Sequence, residues 1–596
     1  MKINPWKSLL LGIVASCYTM TTYAIDNNLK VEYLGNNLSM VRTVKEYKYL
    51  LLPVEEKAGE SRISLIVDNQ TAQTIHVRLA VNKVDYFVPF ELAGYDADKL
   101  VLDIHGVAEN ALCWKEMKLS DSFDTQNREQ YRPAYHFAPE YGWMNDPNGM
   151  VYKDGEYHLY YQYNPYGSMW GNLSWGHAVS KDLVSWEHLP VALGPDGLGL
   201  IFSGSCVVDK NNTAGFGKDA IVAFYTTAGA SQTQSMAYSL DNGRTFTKYA
   251  GNPILTSSAR DFRDPKVLWH EETQKWIMIL AVGQEMQLYS SANLKEWTYE
   301  SSFGEGQGAH GGVWECPDLI QLPVKGTEQK KWALICNLNP GGPFGGSATQ
   351  YFVGDFDGHR FVNDSPALTK WMDWGKDHYA TVTWSNAPQN RTIAIAWMSN
   401  WEYANNVPTM QYRSANSVPR DLYLYVENGE TYMASVPSEE LLALRGKAVK
   451  KGSFKVSKER EVKNLLKENT GAYEIELKVK NVDAKAIGIQ LYNTKGEKVV
   501  LSYNMDTKQF SMDRTQSGQV SFSPSFAAVT SAPIDSQDNY TLRLLIDKCS
   551  IEAFDGGGKF AMTNLVFPSE PYNHVKFESK DGFYQVVSMN VYQLVK

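Results

Sequence analysis

Five short runs decide the fold: Glu156-Tyr-His-Leu-Tyr-Tyr-Gln-Tyr163, Ile221-Val-Ala-Phe-Tyr-Thr-Thr227, Lys275-Trp-Ile-Met-Ile-Leu-Ala-Val282, Lys331-Trp-Ala-Leu-Ile-Cys-Asn-Leu338 and Thr392-Ile-Ala-Ile-Ala-Trp-Met-Ser399. Each is compact, apolar or aromatic, and of strand length. They start 65, 54, 56 and 61 residues apart. Strand units recurring at a near-fixed period of this size mark a β-propeller, each unit a four-stranded blade. Three units share a turn: Ser180-Lys-Asp182-Leu-Val-Ser-Trp186, Ser239-Leu-Asp241-Asn-Gly243-Arg-Thr-Phe246 and Ser291-Ala-Asn293-Leu-Lys-Glu-Trp297. In such hairpins the Asp or Asn bonds locally to backbone amides, and the aromatic anchors the next strand. Five blades are expected, over residues 130–430.

Outward from this repeat the style changes on both sides. Between Thr74 and Leu79, apolar Ile75, Val77 and Leu79 alternate with polar His76 and Arg78, the pattern of a half-buried strand. Similar runs continue to about Val107 and predict a small N-terminal β domain over 25–125. The polar stretch from Ser120 to Gln130 reads as a linker. After Pro419-Arg-Asp-Leu422 comes a short helical piece, Ser438 to Leu444, ending near Gly446. Alternating strands such as Tyr473–Val479 and Thr541–Ile546 follow, and predict a β-sandwich over 447–596. The expected class is therefore all-β: a five-bladed β-propeller followed by a C-terminal β-sandwich, with an extra small N-terminal β domain.

Composition narrows the function. The 596 residues carry a net charge of -9 and no long Lys/Arg run, which argues against a nucleic-acid partner. Six cysteines are scattered without a C-x-x-C pair, giving neither a disulfide framework nor a zinc site. The 11 histidines show no H-E-x-x-H, so no metal is expected. Lys2 and Lys7 precede an apolar run from Ser8 to Ala15 that is too short to span a bilayer and reads as an export signal over 1–24. Two processing readings stand side by side. Thr22-Tyr-Ala24 fits a cleavage site, and Val14-Ala-Ser-Cys17 fits a lipoprotein box with a lipid anchor at Cys17. Either places the chain in the periplasm or at the outer membrane or cell surface of a bacterium.

Three acidic residues share one phase of the repeat. Asp146 lies 10 residues before Glu156, Asp264 11 before Lys275, and Glu315 16 before Lys331. The first strand of each blade lines a propeller's channel, so equal phase in different blades means convergence on one pocket. Clustered carboxylates raise one another's pKa, which is costly unless used. Glycoside hydrolysis uses such a set, one carboxylate as nucleophile and one protonated acid. Asn-Asp-Pro-Asn-Gly is also a good turn, and Arg-Asp-Pro also suits a structural ion pair. His177 reads as scaffold and Asp241 as a folding feature.

Trp143-Met-Asn-Asp146-Pro-Asn-Gly149, Phe262-Arg-Asp264-Pro265 and Glu315-Cys-Pro317 together resemble the signatures of glycoside hydrolase family 32, which contains invertases, levanases and exo-inulinases. The resemblance continues through Tyr161-Gln-Tyr-Asn-Pro165, Trp170-Gly-Asn172, Trp175-Gly-His177, Phe202-Ser-Gly204 and Trp397-Met-Ser-Asn-Trp401. It implies a retaining double displacement on fructans (levan, inulin, or sucrose), without a cofactor. Asp146 is then the nucleophile, Glu315 the acid/base, and Asp264 with Arg263 the fructose-hydroxyl ligands. Asn145, Gln162, Trp170, Asn172, Phe202, Ser203 and Trp397 become fructose-pocket residues, with Trp170 and Trp397 as stacking platforms and Cys316 acting on the neighbouring acid. Retention calls for carboxyl groups about 5–5.5 Å apart. Exo cleavage is preferred. A fructosyltransferase or endo-fructanase with the same trio stays open, as does a non-catalytic fructan-binding surface protein. A sialidase is disfavoured, because only one good Asp-box is present.

Overall fold

A computed structural model describes residues 22–595 apart from 27 and 536. Cys17 and most of the expected export segment lie outside the described residues. The chain forms two compact units that divide between Asp124 and Thr125.

In the first unit a six-stranded antiparallel sheet runs in the order Thr22–Asp26, Leu29–Gly35, Leu38–Thr43, Leu100–His105, Ser61–Val67 and Gln70–Val77. A three-stranded sheet of Tyr86–Glu91, Tyr49–Val54 and Lys118–Ser120 completes it. The expected alternation holds, with Ile75, Val77 and Leu79 buried and His76 exposed.

The second unit begins with the propeller. Its innermost strands are Gly142–Lys153, Leu200–Asp209, Arg263–His270, Val313–Pro323 and Tyr379–Thr383, in blades I to V. Each packs on the next, and the fifth packs on the first, which closes the ring. Tyr412–Arg413 adds a parallel pairing to the start of the blade I inner strand, Gly142 opposite Tyr412. The five apolar runs are the second strands, one position out from the channel, as in Glu156–Asn164 and Lys275–Val282. Blades pack face to face, so these strands are covered on both sides and read as unbroken apolar runs rather than alternation. Six consecutive residues of the blade III run, Trp276 to Ala281, are buried.

The shared turn works as its chemistry predicts. Asp182 Oδ1 accepts from the amides of Val184 (3.0 Å) and Ser185 (2.7 Å), and Asn293 Oδ1 from those of Lys295 (3.0 Å) and Glu296 (2.9 Å). The indoles of Trp186 and Trp297 each donate 3.1 Å to the carbonyl three residues back. Asp241 likewise bonds locally, to Ser239 and Thr245. His177 is buried against His158, ring nitrogens 3.1 Å apart.

The short helical piece is a 3-10 helix, Glu439–Leu444. Beyond it two antiparallel sheets sandwich a core that includes Ile475, Leu501, Phe510, Leu544 and Phe577. The propeller–sandwich seam carries buried charge. His136 sits between Asp547 (2.8 Å) and Glu552 (2.8 Å), and Arg420 between Glu552 (2.5 Å) and Asp373 (2.8 Å).

Candidate active site

All five innermost strands lose pairing register at the same height. The shifts fall between Met144 and Pro147, Ile201 and Gly204, Arg263 and Lys266, Glu315 and Asp318, and Tyr379 and Val382. A bulge bends its strand and re-aims the side chain it carries. Here five bulges in ring order turn Asp146, Ser203, Asp264, Glu315 with Cys316, and Tyr379 toward one place. Asp264, Cys316 and Ala380 have φ of 65°, 43° and 55°, a left-handed conformation that residues other than Gly, Asn and Asp seldom adopt.

Asp146 is held on both oxygens. Asn145 Nδ2 donates 2.9 Å to Oδ1 and Ser203 Oγ donates 2.6 Å to Oδ2. Asn145 is itself fixed by the indole of Trp143 at 2.7 Å. Across the pocket, Arg263 donates to Glu315 Oε1 from Nε (3.2 Å) and lies 4.0 Å from Asp264. The other oxygen of Glu315 accepts from the hydroxyl of Tyr379. Arg263 is also anchored on Asp261 at 2.7 Å. Cys316 links the remaining two acids: its amide donates 2.9 Å to Asp264 Oδ2, and its thiol lies 3.3 Å from Asp146 and 3.6 Å from Asp264. The thiol therefore faces Asp146 and Asp264, and not Glu315 as the sequence suggested.

Electrostatics separates the acids. Burial, then the charges of Glu315 and Asp146, push Asp264 up to about 7 against the pull of Arg263. Burial and the charge of Asp146 also raise Glu315, while Arg263 and the Tyr379 hydroxyl restrain it. Asp264 is only 5% exposed, whereas the side chain of Glu315 keeps 23% of its surface open. A raised, accessible carboxyl is what proton donation to a leaving group requires.

Among the other expected pocket residues, Gln162 is buried and donates 3.1 Å to the carbonyl of Ile201. Asn172 takes φ 44° and donates 3.0 Å to Asn164. Trp170 is 41% exposed and meets Phe202 edge-on at 6.4 Å, forming a rim. Trp397 differs from expectation. It is fully buried among Trp143, Tyr379 and Trp401, so it offers no open face for stacking. Tyr379, whose hydroxyl donates to Glu315, is a side chain at the site that the sequence does not single out. Its signal is the phase of the repeat, since it lies 13 residues before Thr392. Among the described residues, no three His, Cys, Asp or Glu side chains are grouped to hold a metal ion.

A propeller whose inner strands gather an open, raised and arginine-bound acid with two further carboxylates defines a site of the glycosidase class. The comparisons agree. The model for the glycosyl hydrolases family 32 N-terminal domain matches residues 136–437, and that for the family's C-terminal region matches 440–593. A domain of unknown function matches 35–135. The chain is 47% identical over 482 residues to a levanase of Bacillus subtilis (strain 168), covering 78% of this chain and 71% of that protein. It is 38% identical over 510 residues to an extracellular exo-inulinase of Aspergillus awamori, covering 78% and 95%. A crystal structure of exo-inulinase from Aspergillus awamori superposes with a TM-score of 0.74 at 37% identity, over 79% of this chain and 99% of that one. The chain belongs to glycosyl hydrolase family 32.

Proposed function

We propose that the protein is a retaining, exo-acting fructan hydrolase that releases fructose from levan or inulin. Asp146 attacks the anomeric carbon of the terminal fructose while Glu315 gives its proton to the departing oxygen. The resulting fructosyl ester on Asp146 is resolved by water, whose proton returns to Glu315. Asp264 and Arg263 bind fructose hydroxyls, and the Trp170–Phe202 rim receives the next sugar. One observation carries this reading: the Asp146 and Glu315 bulges face one pocket, with the former fixed on both oxygens and the latter raised and open. The basic-then-apolar segment from Lys2 to Ala15, and relatives named as extracellular, support action outside the cytoplasm, in the periplasm or at the cell surface.

The test is product analysis over time on levan, inulin and sucrose. Fructose as the sole early product is expected, with Asp146→Ala and Glu315→Ala each losing several orders of magnitude in rate while keeping the fold. Oligosaccharides appearing first would mean endo cleavage, and longer products from sucrose would mean transfer. Near-normal activity in either variant overturns the mechanism.

A further inference from the structure

Each bulge in the ring ends where strand pairing resumes: at Lys266 in blade III, at Asp318 in blade IV, and at Val382, next to Thr383, in blade V. These endpoints are bonded to one another across the blades. Lys266 Nζ donates to Asp318 Oδ2 (2.9 Å), to the carbonyl of Thr383 (2.9 Å) and to its hydroxyl (3.3 Å). Asp318 Oδ2 also accepts from the amide (2.7 Å) and the hydroxyl (2.8 Å) of Thr383. The tie continues on either side. Ser205 in blade II donates 2.8 Å to the carbonyl of Pro265 and accepts from the amide of Val267 at 3.0 Å. Asn337 in blade IV donates 2.8 Å to the carbonyl of Cys316 and accepts from the amide of Thr381 at 3.0 Å. Blades II to V are thus stapled together just below Ser203, Asp264, Glu315 and Tyr379.

Stability alone does not account for the charged part of this staple. The side chain of Lys266 keeps 7% of its surface and that of Asp318 none. Desolvating both charges offsets most of their attraction, so a buried pair is worth little more than apolar groups of the same volume. Asp318 Oδ1, also buried, has no hydrogen-bond partner among the described residues, a further cost. What the pair supplies and apolar groups do not is direction, since each charge-assisted bond fixes one strand against the next. Packing from below cannot do this. Beneath the acids the channel keeps about 10 Å³, room for one water at most, whereas beyond Lys266 and Thr383 it widens to about 450 Å³.

We propose that Lys266 and Asp318 are positioning residues, which lock the bulges of blades III, IV and V together so that Asp264, Glu315 and Tyr379 meet one sugar. For the reaction it serves, this rests on the fructan-hydrolase reading above. Both residues act through the strands they tie, because they are buried below the acids. A displacement of about 1 Å among reacting groups costs about 100-fold in rate, so a small slip of one blade against the next is enough.

The test separates position from stability in the full chain. Lys266→Met strands the Asp318 carboxylate and should lower the melting temperature. Lys266→Met with Asp318→Leu puts apolar groups in place of the pair and should recover most of that loss. The rate should not recover: in the double variant kcat should stay about 10- to 100-fold down on inulin and levan, with KM within about twofold of wild type. The pH profile should move too. Glu315 is faced by Asp146, Asp264, Arg263, Cys316 and Tyr379, and parting blades IV and V takes away the Tyr379 hydroxyl that restrains it. The alkaline limb of kcat/KM should therefore rise, and adding Tyr379→Phe should shift it no further, a coupling that general loosening does not produce. Asp318→Asn is the milder variant, of the same shape, and should move kcat and the limb in the same directions. Wild-type kcat and pH profile in either folded variant overturn the proposal. A wild-type chain that cleaves no fructan refutes the catalytic reading instead. A crystal structure of the double variant then decides the staple, which stands if Glu315 and Tyr379 have separated and falls if they are still in contact.

Discussion

At Glu315 opposing influences meet on one carboxyl group. Burial and Asp146 favour its neutral form, while Arg263 and the Tyr379 hydroxyl favour its ionised form. Tyr379 touches the acid and acts through it, as a positioning residue. Deleting the hydroxyl removes one influence that lowers the pKa, so in Tyr379→Phe the pKa of Glu315 rises. With Glu315 as the proposed general acid, which must be protonated to act, the alkaline limb of kcat/KM should then move to higher pH. The rate at the optimum should fall about 10- to 100-fold, the usual cost of losing an orienting partner. An alkaline limb that stays put or moves down would show that the hydroxyl does not tune the acid. The convergence of Asp146, Asp264 and Glu315 was legible in sequence because a carboxylate is conspicuous and a repeat gives it a phase. Tyr379 was illegible because a tyrosine in a β strand is, on residue type alone, a core residue. Trp397 misled for the converse reason: tryptophan composition cannot say which rings face a pocket and which lie beneath it.

At the scale of the element, the bulge is the device that makes a channel strand into a site. Blade count and strand order followed from periodicity, since blade packing imposes apolar runs on every second strand. The bulges did not, because no residue type encodes them: Cys316 and Ala380 take positive φ with side chains that give no hint of it. In blade II the bulge ends at Gly204, where a Cβ would lie 1.9 Å from the carbonyl oxygen of Phe224 in the next strand. That oxygen is backbone, so the strands would have to part. Gly204→Ala should therefore cost about 1–3 kcal/mol. It should also lower activity, because Ser203 is drawn away from Asp146. Gly197→Ala, where nothing lies within 4 Å of the added Cβ, should change stability by less than about 0.5 kcal/mol. Thermal melts of the two variants decide this. Equal melting temperatures would mean that the blade yields where the close approach says it cannot.

The second unit is tied together at the seam, where charges with 0–1% exposure lie beside apolar clusters that join propeller and sandwich. Such groups are worth little more than a hydrophobic contact while matched, but removing one partner strands the others. His136 is the titratable cation among them. Burial alone would lower its pKa, but its hydrogen bonds to Asp547 and Glu552, together with their charges, raise it to about 9. Unfolded histidine titrates near 6.5. A pKa raised on folding gives stability that is fully present below about pH 6.5 and is lost as pH rises through about 9. Asp264, also raised, adds its own decline, largely complete by about pH 7. The difference between wild type and a seam variant isolates the histidine. In His136→Gln, Asp547 and Glu552 lose their shared cation, so the chain should be less stable by about 3–5 kcal/mol at pH 6. That deficit should shrink steadily between pH 6.5 and 9, as the wild-type histidine gives up its proton. Urea melts of both proteins at half-unit steps from pH 5.5 to 9.5 measure it. A deficit constant across that range would mean that His136 is neutral in the fold.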